Sequence, residues 1–133
     1  MPPESPTPGS PADWLRRARS DLTLARLSPP DGVLREDLCF HAQQAAEKAL
    51  KALWVALEQP VPRTHNLKTL LEGSTPRLAI PDSVRRAASL TVYAVLTRYP
   101  ADLEPVTPDE HRDAVARAEA VVRWVETTLA SPA

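Results

Sequence analysis

Cysteine is nearly absent: Cys39 is the only one among 133 residues. That excludes an intrachain disulfide and a cysteine metal cluster. Cys39 sits beside an apolar stripe, where it is expected to act as a small buried hydrophobe. Glycine is scarce, three in all and isolated, so there is no glycine-rich phosphate loop. Neither sign of charge dominates. Sixteen Lys and Arg against 17 Asp and Glu leave a formal net charge of −1. A broad electrostatic nucleic-acid footprint is therefore not expected, whereas a small basic patch remains open. No apolar run reaches bilayer-spanning length. The N-terminal MPPESPTPGSP has neither the basic nor the apolar region of a secretory leader. Together these absences predict a cytoplasmic protein with no membrane partner. His41, His65 and His111 are too scattered for a zinc motif, so no metal and no cofactor are expected.

Proline, by contrast, is abundant at 15 residues. It punctuates the chain rather than interrupting its periodic stretches, as a residue that cannot continue a helix from inside should. Between the prolines lie segments rich in Ala, Leu, Arg and Glu, strong helix formers. The pattern predicts an all-α, up-and-down helical bundle of four main helices plus one short extra helix. Residues 1–10 read as a disordered Pro-rich tail, and residues 11–131 as one helical domain. The first helix should start at Pro11 with Ser10 as its cap and bury Trp14, Leu15, Ala18, Leu22 and Ala25. The second, from Val33 to Glu58, should span roughly 39 Å and form the spine. A short third helix is expected over Asn66–Glu72, closed by Gly73. A fourth runs from Pro81 or Asp82 to before Pro100, with Val84, Ala88, Thr91, Val92, Val95 and Leu96 inward. Thr107-Pro108-Asp109-Glu110 is a capping box that opens the last helix.

The spine carries two faces. Leu38, Ala42, Ala45, Ala49, Ala52, Leu53 and Ala56 recur at three- and four-residue steps and predict a core stripe that lets a neighbouring helix approach closely. His41, Gln44, Lys48 and Lys51 recur at the same steps on another side. Such a ladder of ammonium, amide and imidazole donors suits a phosphate or another anion. It equally suits a wet helix face in which Glu47 and Lys51 pair across one turn. Arg63-Thr64-His65-Asn66 precedes a helix, where free amides attract anions; Thr64 or Asn66 can also simply cap that helix. Arg98-Tyr99-Pro100 ends the fourth helix, with Arg98 either answering the helix dipole or aimed at a phosphate or carboxylate.

FHAQQAAEKALKALW, PRTHNL, RYP and AEAVVRWVE occur in that order, and the chain over about residues 12–130 resembles the HEPN domain (higher eukaryotes and prokaryotes nucleotide-binding). The resemblance implies an up-and-down bundle, commonly a homodimer. Such domains are often encoded beside a small nucleotidyltransferase, here a possible separately encoded partner because the chain has no room for a fused one. It implies binding of a nucleotide or other phosphate ligand, with His41, Gln44, Lys48, Lys51, His65 and Arg98 as the ligand-binding candidates. The alternative it carries is a toxin-type, metal-independent endoribonuclease of a toxin–antitoxin pair. That activity uses a late Arg followed, four to six residues on, by His. Arg98 has no such His after it, and Arg35 with His41 fits the spacing only early in the chain. No catalytic residue is therefore assigned, and the expected function is non-catalytic.

Overall fold

Polar caps and apolar periodicity set the helix ends. The computed structural model describes residues 5–74, 78–96 and 104–130, and its regular elements are all helical. Helix α1 spans Pro11–Ala25, α2 Arg35–Ala56, α3 Leu67–Ser74, α4 Asp82–Arg85, α5 Thr91–Leu96 and α6 Pro108–Ala130. A 3₁₀ segment, Arg86–Leu90, joins α4 to α5. Helices α1 and α6 both pack along α2, which forms the spine as expected. The short elements between them cover the remaining side. None of these helices is long and apolar enough to cross a membrane.

The two best-marked helix starts form as the sequence predicts. Ser10 Oγ accepts from Asp13 N at 3.2 Å, with Pro11 at the first position of α1. Thr107 and Glu110 exchange both capping-box bonds, at 3.0 and 3.1 Å. Helix α2 starts at Arg35 without a side-chain cap, leaving Val33 and Leu34 exposed before it. It ends before Pro60, through a glycine-type motif that contains no glycine. Glu58 adopts φ 57°, Glu58 N donates to Val55 O and Gln59 N to Trp54 O, both at 3.0 Å. That double bond satisfies carbonyls the last turn would otherwise leave open.

Two local expectations are corrected. Gly73 lies inside α3, which runs on to Ser74. A Cβ there would stand 3.1 Å from the Trp54 ring, so glycine is favoured by close approach rather than by a helix stop. The fourth helix is broken into α4, the 3₁₀ segment and α5. Its buried residues are Val84, Ala87, Leu90 and Ala94, while Val92 and Val95 are exposed. Val84, Ala87 and Leu90 are spaced by three, and three residues per turn stack such positions on one face. An α-helix would rotate them off the core, so the tighter winding keeps the apolar contacts.

The alanine stripe of α2 is buried from Ala42 to Ala52, where Ala42, Ala45, Ala46, Ala49 and Ala52 have no exposed surface; Ala56, expected in the same stripe, is exposed because the last turn of α2 runs past the core. Cys39 is buried with the stripe, and burial pushes its thiol up to about 11. It is a neutral, unreactive hydrophobe at neutral pH. Five polar residues are also buried: Asp13, Asp21, Gln43, Glu47 and His111. No buried side-chain nitrogen or oxygen among the described residues lacks a hydrogen-bond partner.

Candidate functional site

The donor ladder on α2 meets two buried carboxylates. Asp21 projects from α1 and takes both ends of one half of it. Its Oδ1 lies 2.8 Å from His41 Nδ1, and its Oδ2 accepts from Lys48 Nζ at 2.6 Å. Glu47, on α2 itself, organises the other half. Its Oε2 accepts from Lys51 Nζ at 3.0 Å. Its Oε1 accepts from Gln43 Nε2 at 3.0 Å and lies 2.9 Å from His65 Nδ1. Gln43 Nε2 also reaches His65 O at 3.2 Å, and Gln44 Nε2 donates to Gln43 Oε1 at 2.7 Å.

His41, Gln44, Lys48, Lys51 and His65 thus share one polar face, and all of them have protein partners. The Glu47–Lys51 pair of the plainer reading is present. Because a carboxylate only accepts, each imidazole presents Nδ1–H inward and leaves Nε2 as its second nitrogen. Asn66, not Thr64, caps α3: its Oδ1 accepts from Lys68 N at 3.0 Å and Thr69 N at 3.4 Å. Leu67 N is taken by Thr91 Oγ1 at 3.0 Å. The amides that would have drawn an anion to Arg63–Asn66 are therefore occupied. Arg98 lies outside the described residues.

A concavity opens beside this face, between the first turns of α1 and the middle of α2. It has a volume of about 420 Å³ and is lined by Pro8, Gly9, Asp13, Trp14, Arg17 and Lys48. Trp14, which periodicity assigns to the core, is only half-buried, and its indole walls the cleft. Lys51 Nζ sits 5.7 Å from the Trp14 ring centroid, within cation–π range. Arg17 Nε lies 3.3 Å from both Asp13 oxygens, and Arg16 Nη2 donates to Asp13 Oδ1 at 3.0 Å. Trp14, Arg17 and Asp21 follow one another at three- and four-residue steps. That spacing is a readable sign of a shared side of α1, but nothing in it marks the side as facing Lys48.

Asp13 is the one carboxyl here driven clearly acidic. The Gly9 amide, then Arg16 and Arg17, hold it at about 2 against an ordinary 3.8, with burial opposing. A depressed carboxyl stabilises the fold above its unfolded value and loses that contribution as pH falls through its folded one. Asp13→Asn should therefore flatten the acid limb of the stability profile between pH 3.8 and about 2. Urea unfolding across that window checks it; an unchanged acid limb would show that Asp13 contributes nothing there.

The whole arrangement rests on a chain that matches the family model of the HEPN domain over residues 11–128. The chain belongs to the HEPN domain family. Among solved structures, TT1696 from Thermus thermophilus is similar to this HEPN domain at 34% identity and a TM-score of 0.79. The match covers 90% of this chain and 98% of that one. ST0689, described as an archaeal HEPN homologue, is similar at 29% identity and a TM-score of 0.64, with the same coverage of 90% and 98%. No curated protein matches.

The early Arg–His spacing in this HEPN domain does not make a pair. Arg35 Nη1 lies 3.0 Å from His111 Nδ1, on α6, while His41 is turned to Asp21 on α1. Six residues of helix separate their directions by roughly 120°, so the two side chains meet different neighbours.

Proposed function

We propose that this HEPN domain binds a nucleotide, without chemistry of its own, in the cleft between α1 and α2. The observation that carries the reading is the cleft lining: one indole, one guanidinium, one ammonium and the Asp13 carboxylate, itself paired with Arg16 and Arg17, around about 420 Å³. That volume lies within the range of small-ligand pockets. An indole offers a π-face on which any base can stack. Lys48 spends one of its three donors on Asp21, and Arg17 uses only Nε on Asp13. Both therefore keep donors for a phosphate without releasing their carboxylates. Asp21 holds Lys48 in place, which lowers the ordering cost when the ligand arrives. Lys51 and His41 flank the same face, and Arg98 is retained from the family resemblance as a further phosphate donor.

Titration of AMP, ATP and GTP, followed by calorimetry and tryptophan fluorescence, tests this. Saturable binding is expected for the wild type, weakened by about tenfold or more in Lys48→Ala, since a charge-assisted bond is lost. Trp14→Phe should keep most affinity but lose the fluorescence change. Absence of heat and quenching with all three nucleotides would remove the nucleotide reading.

A further inference from the structure

We propose a second anion site at the other end of α1, built by Arg26, Arg35 and Arg112 around His111 and suited to a phosphate group. Two adjoining cavities, of about 150 and 230 Å³, share Arg26, His111 and Arg112 in their walls. The larger adds Arg35 and Ser28. Every formally charged residue lining them is an arginine.

The guanidiniums keep donors to spare. Arg26 is held by Nε on Glu119 Oε1 at 2.8 Å, which leaves its terminal amino groups. Arg112 pairs with Asp109 within the exposed first turn of α6. Arg35 has no carboxylate partner among the described residues; its polar partner is an imidazole. That imidazole is locked. His111 Nε2 lies 2.6 Å from Ala25 O, a carbonyl that only accepts, so Nε2 carries the proton. Nδ1 is then a bare acceptor, and Arg35 Nη1 donates to it. A buried neutral ring thereby aims a half-buried cation without cancelling its charge. His111 is a positioning residue here, and the charge comes from the arginines. The α6 start does not supply the site, because Thr107 and Glu110 already cap it.

Each of the two cavities taken alone lies below the usual size of a small-ligand pocket. They fit a compact oxyanion gripped by planar forks, the geometry in which Arg excels over Lys. The phosphate is free or terminates a larger ligand.

The test is a titration of inorganic phosphate at constant ionic strength, followed by NMR of the His111 ring and the Arg35 Nε–H. Saturable shifts are expected at both. Arg35→Gln and Arg112→Ala should each weaken binding by about tenfold. Lys48→Ala, in the α1–α2 cleft, should leave it unchanged, so this site and the nucleotide cleft can fail separately. Repeating the titration with phenyl phosphate separates the sources: tighter binding assigns a larger ligand, equal binding the free ion. Shifts that chloride reproduces without saturation, or wild-type binding in Arg35→Gln, would overturn the proposal.

Discussion

Replacing Glu47 with alanine is expected to destabilise the fold by about 3–5 kcal/mol, the cost of breaking a buried pair by removing one partner. Glu47 is 3% exposed and satisfies three groups at once: Gln43 Nε2, His65 Nδ1 and Lys51 Nζ. His65 can turn to water. Lys51 cannot without moving, because only 11% of its side chain is exposed. Gln43 has no exposed surface at all. An unpaired buried ammonium and a partly emptied amide remain, and both desolvation costs fall on the folded state. Glu47→Gln keeps the shape and one acceptor and should lose less. Urea unfolding of the two variants decides this. A loss below about 1 kcal/mol in Glu47→Ala would mean that the network opens to water and behaves as a surface pair.

The second large effect belongs to Leu50. Leu50→Ala should cost about 4–5 kcal/mol, the upper end for such a truncation. The cost depends on how far the surroundings collapse into the vacated space. Ten of the 25 residues in the described buried core are alanines, five of them on α2. Alanine has no rotamer with which to refill a cavity. The backbones that it allows to approach would have to move as whole helices, which close packing resists. Thermal and urea unfolding measure the loss; a value below about 2 kcal/mol would show that the alanine-lined core relaxes after all.

The same alanines explain which parts of the fold are legible from the residues. Their three- and four-residue recurrence marks the buried stripe of α2, and a stripe needs only local geometry to be read. Ser10-Pro11 and Thr107-Pro108-Asp109-Glu110 are equally local, because a cap is a bond between residues three apart. The break in the fourth helix is not legible. Nothing in Arg86–Leu90 breaks a helix; the 3₁₀ winding comes from holding Val84, Ala87 and Leu90 against a core that the segment does not contain. Gly73 misleads for a similar reason, since what favours glycine there is the close approach of the Trp54 ring from α2.

The site divides in the same way. The α2 ladder is visible as spacing, and the Glu47–Lys51 pair as an i, i+4 match. Asp21, the partner of His41 and Lys48, stands 20 and 27 residues away from them. His111 stands 76 residues from Arg35.

By itself the sequence determined the helical class, the spine and its apolar face, the two well-capped starts and the family. Each of these is encoded within a few turns of helix or along one continuous pattern. Only the tertiary structure decided which carboxylate takes which cation, that Trp14 walls a cleft while packing against the edge of the core, and that three arginines share a cavity at the far end of α1. Those outcomes depend on how α1 and α6 are rotated against α2, and that rotation is set by the packing of all the buried side chains together.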